Sequence, residues 1–432
     1  MAARRAGTFR RRFGVALGAA ALAAGSLAGC GQSGTGGGTP EIRIGLLFPT
    51  TGGMASLGTD QSNGVKLVLE WANAHGGVSG TKIKIFEGDS QSNPGVAATV
   101  AQRMIDQNQV QVIVGSYASG IAQAIAPVAQ RNRVVLWEVG AVAPTVAQAG
   151  DRYFVRTVGA STTYAAADLD FLDGFLAAKL GKPIDQIRVA IAHEDGPFGT
   201  SVGQALVAQG KAKNLNVVAQ EAYPETSADL TPVVLRLKAT NPDVLLISPL
   251  VASTPLFWQA ARTQNFNVKA IIGSAGFSSS TFVKKFGAKG VEGVYDVEPP
   301  AVAHMNSANL TADAKQLLDE LRTQFTSTFG HDCLVHCGDG LGGGYILVKD
   351  VLPRAVAAGA VTGDSIRAAA AKTDIAAGGT PQGFGAKFSD SGENERARSV
   401  IMQWQNGALV VVYPKELAMA DPVYPMPTWD QR

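Results

Sequence analysis

The chain has 432 residues, of which 46% are hydrophobic and 17% are charged, and its formal net charge is +2. The only charged residues in the first 29 positions are five arginines, so the chain beyond them carries a formal charge of −3. No basic run follows this leader, which argues against a nucleic-acid-binding protein. The length suits two lobes of ordinary size.

The N-terminal segment has the pattern of an export signal. Five arginines between Arg4 and Arg12 precede the apolar run VALGAAALAAGSLAG, without any acidic residue. A membrane-spanning helix needs about 20 apolar residues, and this run is shorter. Arg10–Phe13 also resembles a twin-arginine motif, so the general secretory and twin-arginine routes both stay open. No second long apolar segment follows, and we expect a soluble body.

The leader ends in Leu27-Ala28-Gly29-Cys30, which matches the lipobox of bacterial lipoproteins. Small residues let the signal peptidase approach the backbone, and the Cys30 thiol would then carry diacylglycerol. An ordinary signal peptide with a chance cysteine is the alternative. We therefore predict a signal peptide at 1–29, a glycine-rich flexible tether at 30–40 and a body anchored by lipid to the membrane in the cell envelope, outside the cytoplasm.

Strand and helix patterns alternate after the tether. Short apolar runs typical of buried strands are separated by segments whose apolar residues recur at helical spacing. The predicted strands lie at 42–48, 82–89, 109–115 and 134–137, and the predicted helices begin near 63, 94 and 120. Four strands with crossover helices indicate a parallel sheet covered on both faces.

A second alternating series predicts a second sheet of comparable size. Its strands are predicted at 187–193, 216–221, 243–249 and 269–273, and its helices at 201–213, 229–239 and 254–264. Beyond about residue 290 the pattern changes to three helices, at 311–329, 341–357 and 363–372. Asn406-Gly407 between two apolar runs predicts a closing β-hairpin.

Several blocks of the chain together resemble a known family. They are IRIGLLFPTTGGMASLGTDQSNGVKLVLEWANAHGG, VIVGSYASG, GAVAPTV, YFVRTVG and FSDSGENERARSVIMQWQNGALVVVYP, in that order. From about 41 to 415 the chain is similar to the leucine/isoleucine/valine-binding type of periplasmic binding protein. The resemblance implies an α/β fold in which two Rossmann-like lobes with parallel sheets are joined by three hinge crossings, near 158, 290 and 384.

The same resemblance implies a division of the chain and a function. Lobe one would comprise 41–158 plus 290–384, and lobe two 159–289 plus 385–432. A small polar metabolite, amino-acid-like, an amide or a short carboxylate, would be held between the lobes and delivered to an ABC permease. We expect no cofactor and no catalysis, because no Walker loop or HExxH motif occurs. A ligand sensor with the same fold, or less plausibly a surface enzyme, is the alternative.

The first candidate for the cleft is the segment after the third predicted strand. Ser119 stands where the family places a carboxylate-binding serine, with Tyr117 and Ala118 beside it. A hydroxyl and free N–H groups at a helix N-terminus favour an anion. An ordinary helix N-cap is the alternative role for this serine.

Further cleft positions follow from the resemblance and depart from the family pattern. Ala141 can supply backbone groups. Val142 stands where a threonine is expected, and a plain turn is the alternative for its side chain. Phe198 replaces a frequent tyrosine that covers the ligand from lobe two, unless it is a core residue of that lobe. Leu57 replaces a tryptophan, and Tyr164 could restore an aromatic wall.

Leu250 and Ala275 complete the predicted cleft. Ala275 stands where amino-acid-binding relatives usually carry an acid that pairs with the ligand's ammonium. A buried ammonium without a partner costs several kcal/mol, so either another acid takes this role or the ligand lacks an α-amino group. Glu138 and Asp195 are candidate substitutes, although solvated or structurally capped acids are more common. We therefore expect a ligand other than a standard branched-chain amino acid.

Cys333 and Cys337 lie in HDCLVHC, beside His331 and His336. A loop disulfide, a metal site and free thiols are the three possibilities. The only other cysteine is the lipid acceptor Cys30, and outside the cytosol two remaining cysteines tend to pair. We therefore favour a disulfide and expect no metal.

Overall fold

The structure is a computed structural model that describes residues 41–147 and 151–432. The predicted signal peptide, the tether and the lipid acceptor Cys30 lie outside the described residues. Across the described ranges, no helix combines the length and the apolar character needed to cross a bilayer.

The first sheet has five parallel strands in the order β2-β1-β3-β4-β5. The strands are β1 (Glu41–Phe48), β2 (Lys82–Asp89), β3 (Val112–Gly115), β4 (Val135–Glu138) and β5 (Phe154–Arg156). They are connected by α1 (Ala55–Ala74), α2 (Pro94–Asn108) and α3 (Ser119–Asn132). Every residue of β3 and β4 is buried, as expected when helices cover both faces of a parallel sheet.

The second sheet has seven strands in the order β14-β13-β10-β9-β8-β6-β7. Five are parallel: β6 (Val189–Glu194), β7 (Val217–Tyr223), β8 (Val244–Ser248), β9 (Ala270–Gly273) and β10 (Tyr295–Glu298). The closing hairpin, β13 (Val400–Gln405) and β14 (Ala408–Tyr413), pairs antiparallel with β10. Asn406 and Gly407 both have positive φ, which is the conformation that an Asn-Gly hairpin turn requires.

Helices cover the second sheet and fill the segment between β10 and the hairpin. Around the sheet lie α4 (Ser161–Phe171), which continues through a π-helical turn into α5 (Ala177–Leu180), α6 (Pro197–Ala212), α7 (Thr231–Ala239), α8 (Thr254–Thr263) and α9 (Ser280–Val291). The later segment contains α10 (Ala312–Phe329), α11 (Val335–Ile346), α12 (Leu352–Ala357), α13 (Gly363–Ala370) and the short strand pair β11 (Asp374–Ile375) and β12 (Ala386–Lys387).

Helices α1 and α11 pack with their backbones unusually close. A Cβ atom added at Gly64 would overlap the Cys337 carbonyl, and one added at Gly340 would overlap the Gln61 carbonyl. Glycine at these two positions is therefore what lets α11 lie against the first lobe. Through this contact α11 carries His336 to the region between the two sheets.

Two of the expected lobe boundaries differ from the strand pairing in the structure. The boundary at 290 would place β10 with the first lobe, whereas β10 pairs with β9 and β13 in the second sheet. The boundary at 384 precedes β12, which pairs with β11, and Glu393, which bridges to Arg156 of β5. The chain thus leaves the second sheet after Glu298 and returns to it between Glu393 and Val400.

Candidate ligand-binding site

A small buried cavity lies where strand ends of both sheets meet. Its volume is about 20 Å³, which is room for about one water molecule. We call it the Glu298 cavity. It is lined by Tyr117, Ala118, Ser119, Gly140, Tyr164, Phe198, Leu250, Ala275, Glu298 and His336. A metabolite the size of an amino acid therefore requires the cavity walls to separate.

The lining follows from the topology of the two parallel sheets. In the first sheet, Ser119 follows β3 and Gly140 follows β4; in the second, Leu250 follows β8 and Ala275 follows β9, while Glu298 ends β10. All five positions lie at carboxyl ends of strands, where open parallel sheets bind their ligands.

A neighbouring cavity of about 70 Å³ shares part of this wall. Ala118, Ser119, Phe198 and Leu250 line both cavities. We call the second one the Glu194 cavity, because Glu194 at the end of β6 lines it. Its remaining lining residues are Met54, Ser92, Pro94, Gly120, Ile121, Pro197 and Glu225.

Ser119 is the first residue of α3 and is 1% exposed. The residue before it, Ala118, is the N-cap and offers no side-chain cap to the helix. Ser119 is thus not an ordinary N-cap: its Oγ instead accepts a hydrogen bond from the Ala143 N–H at 3.1 Å. Ser119, Gly120 and Ile121 of the first turn of α3 line one or both cavities, so the positive end of the helix dipole lies beside them.

Glu298 is the acidic group of the first cavity, and the sequence analysis missed it. It is 2% exposed, and its Oε2 accepts no hydrogen bond from any described residue. Its Oε1 lies 3.7 Å from Nε2 of His336. Burial raises the pKa of Glu298 from 4.5 to about 7, although the Ser278 hydroxyl and the Ala275 N–H oppose the rise.

No Lys or Arg side chain lines the cavity beside Glu298. Asp296 lies two residues earlier on the same strand, and its carboxyl group is within hydrogen-bonding reach of Glu298. Burial and the nearby Glu298 raise the pKa of Asp296 well above its usual range. Burial lowers the pKa of His336 to about 3, so its imidazole is neutral.

Tyr117 places a second unpaired polar group in the cavity wall. Its hydroxyl is buried without a hydrogen-bond partner in the described ranges, and its ring lies 5.2 Å from the His336 ring. Burial and the nearby Glu298 and Glu194 raise its pKa, so the phenol stays protonated and can donate. Two buried groups with opposite hydrogen-bonding capacity thus face one small cavity.

Comparison with known proteins identifies the family. A family model described as periplasmic binding protein matches residues 41–408. The chain belongs to the periplasmic binding protein family. The Leu/Ile/Val-binding protein homolog 7 of Brucella suis biovar 1 (strain 1330) is 30% identical over 410 residues, which cover 94% of this chain and 98% of that protein. The family to which the sequence is similar is thereby confirmed.

Solved structures share the fold of this binding protein. The branched-chain amino acid substrate-binding protein LivJ from Streptococcus pneumoniae, in complex with isoleucine, has a TM-score of 0.71 and 19% identity, over 87% of this chain and all of that one. A solute-binding protein from Rhodopseudomonas palustris BisB5, in complex with 3,4-dihydroxybenzoic acid, has a TM-score of 0.70 and 22% identity, over 89% and 98%. The expected two-lobe α/β fold is confirmed.

Most of the predicted site residues of the binding protein line the Glu298 cavity. They are Tyr117, Ala118, Ser119, Tyr164, Phe198, Leu250 and Ala275. Leu57, Ala141 and Val142 line neither cavity. Leu57 packs in the apolar core of α1, and Val142 packs beside Val158 and Tyr164.

Glu138 explains why Ala141 is not available in this structure. Its Oε1 accepts N–H groups of Ser116, Gly140 and Ala141, each at 2.8 Å. Its Oε2 accepts the Ser116 hydroxyl at 2.9 Å. The Ala141 carbonyl meanwhile accepts from Arg156. Glu138 is therefore a structural acid whose oxygens already accept hydrogen bonds from the protein. Gly140 is the residue of this loop that lines the cavity.

Asp195, the other acid named from the sequence, lies at the edge of the site, beside Glu194. Asp195 is exposed and accepts the Glu225 N–H at 3.0 Å, so it is not a counter-ion in the Glu298 cavity. Glu194 accepts N–H groups of Gly196 and Gly199 at the start of α6. Burial nevertheless raises the pKa of Glu194 to about 7.

The two cysteines of the described chain form a disulfide between Cys333 and Cys337. The bond joins the loop before α11 to its first turn, next to His336. Within 41–147 and 151–432, no group of three or more His, Cys, Asp or Glu side chains is arranged to hold a metal ion.

A more spacious groove, about 870 Å³, lies elsewhere, between the start of α1, the start of α9 and the hairpin. Four of its titratable lining groups form pairs: His331 lies 3.3 Å from Asp60, and His304 lies 3.0 Å from Asp332. The Glu298 cavity, where buried polar groups lack partners, is therefore the better ligand site.

Proposed function

We propose that this binding protein is the extracytoplasmic receptor of an ABC importer and captures a small polar metabolite by closing its two lobes over it. The observation that carries the proposal is the Glu298 cavity, because its walls come from both sheets and hold unpaired polar groups. A ligand bound there contacts both lobes at once, so binding energy is available to hold them together.

The ligand contacts follow from the cavity lining. The first turn of α3, with Ser119, Tyr117 and Ala118, would bind an anionic or hydrogen-bond-accepting group of the ligand. Phe198 and Leu250 would cover its apolar part from the second lobe. An amino-acid-like compound, an amide or a short carboxylate fits these walls, and the relatives are named for leucine, isoleucine and valine or were solved with isoleucine and dihydroxybenzoic acid.

The location and the partners belong to the same proposal. The lipobox would anchor Cys30 to the outer side of the membrane, and the tether would let the body reach a permease. The three hinges would lie after β5, after β10 and between Glu393 and Val400, where the chain passes between the sheets.

A thermal-shift screen of the full chain against amino acids, amides and organic acids tests the proposal. A ligand at 100 times its Kd should stabilise the native state by about 2.7 kcal/mol. Small-angle scattering with that ligand should show a smaller radius of gyration than without it. A screen in which no metabolite stabilises the protein would contradict the proposal.

The transport step needs its own experiment. Cells lacking the protein should lose uptake of the identified ligand and regain it when the gene is restored. Unchanged uptake, together with normal binding by the purified protein, would count against the importer role while leaving the binding role intact.

A further inference from the structure

The last segment of the chain runs beyond the closing hairpin. The match to the family model ends at residue 408, the first residue of β14, and residues 414–432 follow that strand. We call residues 414–432 the C-terminal strap. It contains one short 3₁₀ turn, Trp429–Gln431, and is otherwise irregular, so its position depends on the contacts that it makes with the rest of the binding protein.

The strap is fixed to the second sheet at two places. Near its start, the Met419 N–H donates to the Val411 carbonyl of β14 at 2.8 Å. Further along, the Val423 carbonyl accepts the Tyr295 hydroxyl of β10 at 2.7 Å. The Val423 N–H donates to the side-chain oxygen of Gln403 in β13 at 2.8 Å. The strap is therefore expected to move together with the second sheet.

Leu417 of the strap contacts the chain on its way from the second sheet and back to it. Its carbonyl accepts the Asn306 N–H at 3.0 Å, and Asn306 lies between β10 and α10. Its partly buried side chain lies against Gly383, between β11 and β12, since a Cβ atom added there would be 3.3 Å from Leu417 Cδ2. Met305 and Leu310 approach Gly383 from the same side. Leu417 thus packs against both stretches while the strap is held by the second sheet.

The Leu417 contact belongs to an arrangement in which the lobes are close together. The Glu298 cavity between them has room for about one water molecule. Domain closure is absorbed by the few residues that connect the moving parts, and Asn306 and Gly383 lie on the stretch of chain between two such connections. Because Leu417 is held on the second sheet, it cannot follow these residues when they move. A contact made in one arrangement stabilises that arrangement against the others.

We propose that the C-terminal strap restrains the hinge, so that Leu417 limits how far the two lobes open. The inference rests on the lobe closure of the proposed function and adds the segment that controls it. No strap residue lines the Glu298 cavity or the Glu194 cavity, so the strap acts on opening rather than on contacts with the ligand.

Leu417→Ala tests the restraint on the full chain without ligand. Small-angle scattering should give a larger radius of gyration than for the wild type, because the shorter side chain loses its packing beside Gly383. Leu417→Met conserves the side-chain volume and should keep the wild-type radius. Leu417→Val replaces Leu417→Ala if the latter loses its native circular dichroism spectrum.

Leu215→Ala is the matched control. Leu215 is also partly buried and packs beside a glycine, Gly210 of α6, but it does so within the second lobe. Its truncation removes similar packing without touching the strap, and we expect the wild-type radius of gyration.

Hydrogen exchange at the cavity shows whether the effect reaches the binding site. Amides in peptides that contain Ser119 or Phe198, which line the cavity after strands of different sheets, should exchange about fivefold faster in Leu417→Ala than in the wild type. Leu215→Ala should leave their exchange unchanged. A merely local loss of packing would speed exchange only around Asn306 and Gly383.

These measurements use no ligand, so they separate the inference from the proposed function. A radius no larger than that of Leu215→Ala, or faster exchange confined to the surroundings of Asn306 and Gly383, would overturn the restraint even if the screen finds a ligand. A larger radius with faster exchange at the cavity supports the restraint. A screen without any ligand would then contradict the proposed function alone.

Discussion

Glu138 and Glu298 show how one side-chain type takes two roles at the residue scale. Both are buried at strand ends. Glu138 organises its loop because backbone N–H groups converge on it. Glu298 has fewer donors, the Ser278 hydroxyl and the Ala275 N–H, and its Oε2 accepts from no described group. The sequence shows two acids in apolar surroundings, but it does not show where the N–H groups point.

Glu298→Gln should stabilise the unliganded protein. The folded-state pKa of Glu298 is about 7 and its ordinary value is 4.5, so the unfolded chain loses this proton first as pH rises. Wild-type stability should therefore fall relative to the variant between about pH 4.5 and 7, by roughly 1–3 kcal/mol. Urea unfolding at pH 5 and pH 8 measures the difference.

Glu138→Gln is the companion variant and should act in the opposite direction. An amide NH₂ would face N–H donors that now meet a carboxylate, which should destabilise the protein by about 2 kcal/mol or more. Effects of the same sign in both variants would contradict the distinction between these two buried acids.

Ser119→Ala should weaken binding of a carboxylate ligand by roughly 1–3 kcal/mol, because it removes a hydroxyl at the first turn of α3. Calorimetry with the ligand identified in the screen gives the number. Ser365→Ala is the control, since Ser365 caps α13 far from the cavities. Unchanged affinity in Ser119→Ala would exclude the serine from the site.

At the element scale, most strands could be predicted and β10 could not. β1, β3, β6 and β8 are predominantly apolar, and the sequence analysis places each within two or three residues of its ends. β10 has the sequence YDVE, in which Asp296 and Glu298 interrupt the apolar pattern. A search for short apolar runs therefore passes over this strand.

The part of the candidate site that follows predicted strands could be predicted from the sequence. Tyr117, Ser119, Phe198 and Ala275 follow apolar strands, and all of them reach the cavity. His336 lies about 60 residues beyond the last predicted parallel strand, and α11 brings it to the cavity only because α1 and α11 pack closely. Such a tertiary contact leaves no periodic signal in the sequence.

Gly340→Ala should destabilise the fold strongly, because its Cβ would overlap the Gln61 carbonyl in the contact between α1 and α11. We expect a loss of about 2 kcal/mol or more, measured by thermal or urea unfolding. Gly120→Ala in α3 is the control, since its Cβ would lie 3.8 Å from the nearest atom. A loss no larger than that of the control would contradict close helix packing as the reason for this glycine.

At the scale of the whole molecule, the lipid anchor is a prediction from sequence alone. The wild-type protein should incorporate a labelled fatty acid and fractionate with membranes. Cys30→Ser should lose the label and be released in soluble form, because a single thiol carries the anchor. Labelling that persists in this variant would contradict the lipobox assignment.

The near absence of space in the Glu298 cavity has a consequence for the resting receptor. If the two lobes closed without a ligand, Glu298 and Asp296 would lie together in an interior without water. The lining side chains would supply no positive charge there. The loss of hydration of these carboxyl groups opposes that state, so the closed form without a ligand is disfavoured. The closed shape would then indicate that a ligand is bound. A partner protein that recognises this shape would seldom bind the receptor without its ligand.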